Sequence, residues 1–583
     1  MRIQIKPFFI LLFIFIFVFS GFQLYAQLSQ PEYGWKFKGD VRVPMRDGIE
    51  LSADMFVPDA EGKFPTILIR TPYDNNNFVR ANYGPYFASR GYVFMVQDVR
   101  GRGDSDGVFY PFAHEADDGF DTHEWIGTQE WSSGKIGSFG GSYQGWTQVY
   151  PATLKSKYYT CMVPEVCPPD PFLNFPYQNG ALMLAALEWV VLIDGRTMQD
   201  MTHVNWAQIY EQLPLIEMDK NTGRDAFFWR EWVDHYTWDD YWDKLCYQEK
   251  LAKVDMPAIH ITGWYDDDQP GCIQNFVAMR KHAESIGKRK HQRLVIGPWP
   301  HAFNRSRTLG DFDFGANSLI DINNLYLKWF DYWLKGKDTG ILDEAPVKIF
   351  IMGDNEWRDE QEWPLARTEY TKYYFHSDGK ANSFFGDGKL STVLPKDEEP
   401  DKYVYDPANP VRFIFNPASF QLGINEDQRP LERRDDVLCY TSDVLEEDLE
   451  VTGPLKAKIY ISSDVTDTDF FVRLVDVLPN GYAMRVNDNI CKTRFRNSYR
   501  KPEPMEPGNV YELDIDLWAT SLVFKKGHRI RVDVCSSAFP KFSRNRNTGE
   551  KPGYGTEIKI ANQTIYHTSQ YPSHIVLPVI PRE

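Results

Sequence analysis

The sequence predicts an α/β protein: a doubly wound parallel sheet with an inserted helical cap, followed by an all-β sandwich domain. Three observations carry this. Up to about residue 345, short β-branched or aliphatic runs alternate with helix-length segments, the pattern of strands joined by crossover helices. Residues 169–250 interrupt that pattern with dense aromatics at helix-like spacings, among them Trp189, Trp206, Trp229, Trp232 and Trp242. Beyond residue 346 the helical period disappears and strand-length runs recur between turns. A chain of 583 residues exceeds one ordinary core and, at roughly 100 to 200 residues per domain, predicts two to four domains.

The elements follow in order. Residues 1–26 carry Arg2 and Lys6, an apolar block from Phe8 to Phe19, and small or turn-forming residues up to Ala26. The block is shorter than the roughly 20 apolar residues that a bilayer core requires, so this is expected to be a signal peptide cleaved after Ala26, leaving no stable membrane span. The mature chain is then expected to be exported, periplasmic or secreted. The first part of the α/β domain is expected over residues 35–168. It opens with a hairpin from Val41 to Pro58 centred on Asp47-Gly48, followed by buried strands at Thr66–Arg70 and Tyr92–Gln97. A crossover helix at Glu115–Trp125, a strand at Lys135–Phe139 and a helix after Ser142 come next. The helical cap is expected over 169–250 and the second part of the sheet domain over 251–345. That part has strands at Ala258–Thr262 and Arg293–Ile296, and a helix carrying Ile322, Leu325, Tyr326, Trp329, Phe330, Trp333 and Leu334 that stops at Lys335-Gly336. The sandwich, over 346–583, takes its strands from VKIFIM, YTKYYFH, VRFIFN, LKAKIYISS, DFFVRLVDV, VYELDIDLW and HRIRVDVCSS, with a long polar loop at Ser377–Pro410.

Composition excludes several functions. A net charge of -17 with no basic run argues against nucleic-acid or anionic-membrane partners, because phosphate contacts need Lys and Arg clusters. Seven cysteines thinly spread over the chain are not a disulfide scaffold; Cys161 and Cys167 are the closest pair, and connectivity is left open. No CxxC or HExxH spacing exists and the 12 histidines are scattered, so no metal site and no cofactor is expected. The glycines of DVRGRGDSDG at Asp98–Gly107 lack a following GK[ST] and are not a phosphate loop; Asp98, Arg100 and Asp104 are expected to form a structural turn with internal ion pairs.

The chemistry is carried by three segments, each on a loop at a strand's end: GGSYQG at Gly140–Gly145, WYD at Trp264–Asp266 and GPWPH at Gly297–His301. A serine hydroxyl is a poor nucleophile unless a base lies in hydrogen-bond reach and a carboxylate holds that base in one tautomer. Ser142 is the expected nucleophile, although Gln144 stands where a G-x-S-x-G elbow has its last glycine and Gly145 comes one position later. For the base, His301 competes with His114, His123 and His260. His260 lies within a strand, whereas His301 follows a stiff Gly-Pro-Trp-Pro turn. For the acid, Asp266, Asp267 and Asp268 are adjacent and spacing does not choose among them. The order Ser, Asp, His is that of α/β-hydrolases.

These segments, with RDGIELSADMFVP at Arg46–Pro58, RTPYD at Arg70–Asp74, DVRGRGDSDG and GWYD at Gly263–Asp266, resemble the cocaine esterase, α-amino-acid ester hydrolase and X-prolyl dipeptidyl peptidase group of serine hydrolases. In that family the elbow carries glycine at the third position after serine, as here. The resemblance implies that Ser142 is the nucleophile, His301 the base and Asp266 its orienting partner, with the Tyr73 hydroxyl and the Tyr143 backbone N–H stabilising the oxyanion. It also implies a jelly-roll form for the C-terminal domain. Where cocaine esterase-like members place an aromatic residue two after the catalytic Asp, this chain has Asp268. A carboxylate there suits a substrate with a positive α-ammonium group. The expected partner is therefore a small-molecule ester, amide or short peptide; oligomeric state is left open. The readings set against it are an X-prolyl dipeptidyl peptidase-type peptidase, and a non-catalytic carbohydrate-binding or adhesion protein.

Overall fold

A computed structural model describes residues 27–76, 78–414 and 426–582. The expected signal peptide, residues 1–26, lies outside the described residues. Among the described residues no helix is long and apolar enough to cross a membrane.

The hairpin forms from β1 (Trp35–Pro44) and β2 (Glu50–Pro58), and Gly48 takes the positive φ of +89° that its tight turn requires. Then follow β3 (Phe64–Thr71), α1 (Phe78–Ala88), β4 (Val93–Asp98), α2 (Glu115–Thr128), β5 (Ser132–Gly141), α3 (Tyr143–Ala152) and β6 (Tyr159–Glu165). The cap holds a ribbon of β7 (Tyr177–Gln178) and β8 (Ala181–Leu182) and short helices α4 (Ala185–Leu192), α5 (Trp206–Tyr210), α6 (Phe227–Asp234), α7 (Asp240–Leu245) and α8 (Gln248–Leu251). Trp229, Trp232 and Trp242 are fully buried in a core that the cap shares with the sheet domain. The sheet domain resumes with β9 (Ala258–Gly263), α9 (Gln269–Ser285), β10 (Gln292–Gly297), the short β11 (Thr308–Leu309) and β12 (Phe312–Asp313), α10 (Ile322–Lys335), β13 (Val347–Ile351) and β14 (Glu356–Glu360).

The main sheet runs β1-β2-β4-β3-β5-β6-β9-β10-β13-β14, parallel from β4 to β13 and antiparallel at both margins. From β3 the chain passes to β4 on one side and then to β5 on the other. Such a switch point opens a crevice at the carboxyl ends of the strands. Helix α10 covers β5 and β6 with the stripe expected from its spacing: Tyr326, Trp329, Phe330 and Leu334 are buried. The Asp321 carboxylate accepts from the Asn324 N–H at its start, and Gly336 ends it at φ +70°.

Several expectations need correction. VKIFIM belongs to the main sheet, because β13 pairs in parallel with β10; a strand apolar on both faces suits a buried parallel position as well as a sandwich. The unpredicted 17-residue α9 buries Cys272, Phe276, Met279 and Ala283 but begins Gln-Pro-Gly, which hides its start. The expected loop at Ser377–Pro410 contains strands Lys389–Ser391 and Asp401–Tyr405. The second alternates inward and outward residues and pairs with Ala561–Tyr566. VRFIFN forms no strand over residues 411–414, with one bridge from Arg412 to Phe539, and its last two residues lie outside the described residues. Arg100 does not pair within its turn. It reaches Asp118 on α2 and Asp47 in the hairpin, while Asp98 accepts from the backbone of Asn75 and Asp104. All seven cysteines are free thiols, six of them buried.

The C-terminal domain is all-β. Strands Leu449–Ser463, Asp469–Val477, Ala483–Lys492, Tyr511–Phe524 and Arg529–Cys535 bury one contiguous apolar core together with residues of β13 and the Trp264-Tyr265 pair. The core therefore runs from the all-β domain into the loop that carries Asp266.

Candidate active site

Four of the expected site residues stand at carboxyl ends of parallel strands: Tyr73 after β3, Ser142 after β5, Asp266 after β9 and His301 after β10. Ser142 has φ +61° and ψ −126°, a region that L residues rarely adopt. Such strain costs on the order of 1–3 kcal/mol and persists where the surroundings over-determine it. Here the Ser142 N–H donates to the Glu165 carbonyl at 3.0 Å, and the Gly145 N–H donates to the Ser142 carbonyl at 2.8 Å. Gly145 explains the shifted glycine of the elbow: a Cβ there would sit 2.6 Å from Cys167 Cβ and 3.1 Å from its Cα. Helix α3 passes that close to the strand's exit, so no side chain fits.

Tyr143 begins α3, and the first N–H groups of a helix have no intrahelical acceptor. Its ring is buried, and its hydroxyl donates to Glu115 Oε1 at 2.9 Å while accepting from the Phe112 N–H at 2.9 Å. Glu115 in turn forms a buried ion pair with Arg70 at 3.0 Å, so β3, α2 and α3 are tied together beneath the elbow. Tyr73 is half-buried. Trp189 of the cap donates its indole N–H to the Tyr73 hydroxyl at 3.1 Å, and the Ser142 side chain lies beside that hydroxyl. Burial pushes the Tyr73 phenol up, so it stays protonated and able to donate to an oxyanion.

The acid and base loops are bonded to one another. The Trp264 N–H donates to the Gly297 carbonyl at 2.9 Å and the Tyr265 N–H to the Trp299 carbonyl at 3.1 Å. Around His301 Nδ1 stand Asp266 Oδ1 at 2.9 Å, Asp268 Oδ2 at 3.5 Å and Asp267 Oδ1 at 3.6 Å. Asp266 is the one in hydrogen-bond reach, and its other oxygen accepts from Thr262 Oγ1 at 2.7 Å. Asp268 accepts from Asn174 Nδ2 at 2.7 Å. Burial disfavours the imidazolium, yet the Asp266 hydrogen bond and the three carboxylate charges outweigh it and lift His301 to about 10. Burial pushes Asp267 and Asp268 up as well, so the groups titrate as a unit. Among the described residues Asp266, Asp268 and His301 form the one set close enough to hold a metal ion, but their oxygens already accept from N–H and O–H donors. The other histidines are elsewhere: His123 and His260 are buried and held neutral, each pushed down to about 3 by burial, and His114 precedes α2.

Ser142, Tyr73, Tyr143, His301, Asp267 and Asp268 line one cavity of about 790 Å³ beneath the cap. Of the cap aromatics, Trp189, Phe175 and Tyr210 reach it. Three contributors carry no local motif. Asn174 is set by the cap's entry, and Glu165 closes β6 at the elbow. Gln269 holds Ala519 of the all-β domain by two bonds of 2.9 Å, one donated and one accepted, while donating to the Trp264 carbonyl at 2.9 Å. Nothing local in the sequence marks Glu165 or Gln269.

Residues 47–303 match the X-Pro dipeptidyl-peptidase (S15 family) model, and residues 339–576 match the X-Pro dipeptidyl-peptidase C-terminal non-catalytic domain. The chain is 37% identical to the cocaine esterase of Rhodococcus sp. (strain MB1 Bresler), over 93% of this chain and 98% of that protein. Among solved structures, an α-amino acid ester hydrolase superposes with a TM-score of 0.83 at 25% identity, covering 96% of this chain and 99% of that one. An aminopeptidase from a marine sediment Thaumarchaeota archaeon shares the fold, with a TM-score of 0.84 at 24% identity over 96% and 98% of the two chains. The chain belongs to the S15 family of α/β-hydrolase serine hydrolases, which act on esters or amides, and is similar along nearly its whole length to cocaine esterase.

Proposed function

We propose that this hydrolase cleaves esters or amides of α-amino acids through an acyl-enzyme. Ser142 attacks, His301 takes and returns the proton, and Asp266 holds the imidazole by its Nδ1. Tyr73 and the Tyr143 N–H donate to the oxyanion from two directions. The observation that carries the acyl preference is the pair of carboxylates, Asp267 and Asp268, beside His301 and on the wall of the same cavity as Ser142. An α-ammonium group next to the scissile carbonyl would find charge partners there, and its arrival would favour their ionised forms. The N-terminal apolar block further supports export of the mature chain, which fractionation of expressing cells would test.

The substrate reading is tested by comparing p-nitrophenyl butyrate, phenylglycine methyl ester and Ala-Pro-p-nitroanilide on one preparation. Preference for the two amine-bearing substrates, falling about tenfold or more in Asp268→Asn, is the expected result. Equal use of all three, unaffected by the substitution, would remove the ammonium reading. Turnover of Ala-Pro-p-nitroanilide above the amino ester would favour the peptidase reading instead.

A further inference from the structure

The loops that enter the parallel strands lie at the pole opposite Ser142, Asp266 and His301, and three of them are basic. Strands β6, β9 and β10 are consecutive and parallel in the main sheet, so the segments leading into them stand side by side. The first presents Lys155 and Lys157, the second Lys253, and the third Lys288, Arg289 and Lys290, all of them exposed. Lys288 pairs with Asp255 at 2.5 Å, which ties the second loop to the third. Glu284, at the end of α9, lies 3.7 Å from Arg280. Among the described residues the other five loop cations make no ion pair. Beside them Leu154 and Ile286 are exposed at 40% and 42%. With no more than three in a row, these cations form no long basic run in the sequence. Folding gathers them on one face of a chain whose net charge is -17.

We propose that this pole docks on an anionic phospholipid surface, with the cations against the headgroups and Leu154 and Ile286 entering the acyl boundary. Two observations select a bilayer over a soluble polyanion. The first is the pair of aliphatic side chains among the cations: a phosphate- or sulfate-rich chain offers them no apolar partner, whereas the boundary between headgroups and acyl chains takes both kinds. The second is where the described chain begins. The Ser29 N–H and hydroxyl each donate to the Asp331 carboxylate of α10 at 2.6 Å, and Lys337 donates to the Gln27 carbonyl at 3.3 Å. The last turn of α10 is reached from the β5 entry, where Lys135 donates to the Trp333 carbonyl at 3.4 Å. It is reached from the third basic loop as well, where the rings of His291 and Trp333 have centroids 4.8 Å apart. Residues 1–26, with their apolar block, therefore join the chain at this pole. The attraction of clustered cations to an anionic leaflet fades within about 10 Å at 0.1 M salt, so acidic groups on the other faces oppose it little. The catalytic groups stand at the far ends of six- and seven-residue strands, roughly 20 Å away, and stay clear of the bilayer. Docking of this kind needs none of the catalytic roles assigned above.

The test is co-sedimentation of the mature chain, beginning at Gln27 and so lacking the apolar block, with vesicles of phosphatidylcholine alone or with about 30% phosphatidylglycerol. The anionic vesicles should bind it about tenfold or more tightly, and raising salt to about 0.5 M should remove the difference. Lys288→Glu, Arg289→Glu and Lys290→Glu together should reduce binding to the phosphatidylcholine level. Hydrolysis of p-nitrophenyl butyrate should stay unchanged in that variant, which also shows that it is folded. Equal binding of the wild type to both kinds of vesicle, or undiminished binding of the triple variant, overturns the proposal. Leu154→Ser with Ile286→Ser should weaken binding to anionic vesicles severalfold and leave retention on heparin as it was. Retention on heparin without binding to vesicles would assign the pole to a soluble polyanion and overturn the bilayer as its partner. A double variant that binds anionic vesicles as tightly as the wild type would do the same.

Discussion

The elbow and the acid–base loops are built on different physics, although both present catalytic candidates at the carboxyl ends of parallel strands in one sheet. The elbow is held by shape: a strained Ser142, a Gly145 that cannot carry a side chain, and a tyrosine anchored on a buried ion pair. The acid–base loops are held by charge and hydrogen bonds, with three carboxylates within 3.6 Å of one imidazole nitrogen and Gln269 fastening the loop to the all-β domain. A site held by shape fails abruptly when an atom is added or removed. One held by charge is retuned by substitution, and the change appears first in its pH dependence.

The sharpest break of this comparison is Ser142→Ala, which removes the hydroxyl proposed as the nucleophile while keeping the Cβ and hence the same backbone conformation. Turnover should fall on the order of a millionfold with no loss of thermal stability. Measurable single-site turnover in a purified, folded variant would move the nucleophile elsewhere. A fluorophosphonate probe should label the wild type at Ser142 and leave the variant unlabelled.

The next effect is steric. Gly145→Ala keeps every reacting atom but places a Cβ against Cys167, including a backbone atom that cannot swing away. Overpacking of this kind costs about 1–3 kcal/mol, and displacement of the α3 N-terminus by about 1 Å should cost roughly a hundredfold in kcat. Denaturant unfolding and single-turnover kinetics measure the two separately. Full activity in Gly145→Ala would mean that the shape of the elbow is not what holds it.

The same contrast governs what could be read from the chain. Strand ends, the Ser-Asp-His order and the stripe of α10 are local patterns, so they survive translation from sequence to structure. The shifted Gly145 was legible only as a family mark; its cause is a contact with Cys167, which belongs to another strand's exit. The apolar, β-branched run VKIFIM says that it is a strand but not which sheet accepts it. Glu165 and Asn174 carry no motif because their roles come from who stands opposite them after folding. The acidic trio stood between these cases: its residues were visible, but the choice among Asp266, Asp267 and Asp268 depends on distances of less than an ångström around His301.

The smallest effect is expected at Asp268, and it separates that residue from Asp266. General-base catalysis needs the neutral imidazole, so kcat/KM should rise with pH along a limb set by His301. The neighbouring carboxylates stabilise the imidazolium and raise that limb above the ordinary histidine value of 6.5. Asp268→Asn removes one negative charge, so the His301 pKa falls and the limb moves to lower pH, by about one unit for a charge at this separation. Asp266→Asn acts differently: it also removes the acceptor that holds Nδ1–H, so the rate falls across the whole profile by about 10⁴-fold, as a lost tautomer does. The readout is kcat/KM against pH with a neutral p-nitrophenyl ester, which has no ammonium for Asp268 to bind. A limb that stays in place in Asp268→Asn would mean that this carboxyl holds its own proton and contributes no charge, leaving Asp266 and Asp267 to set the base.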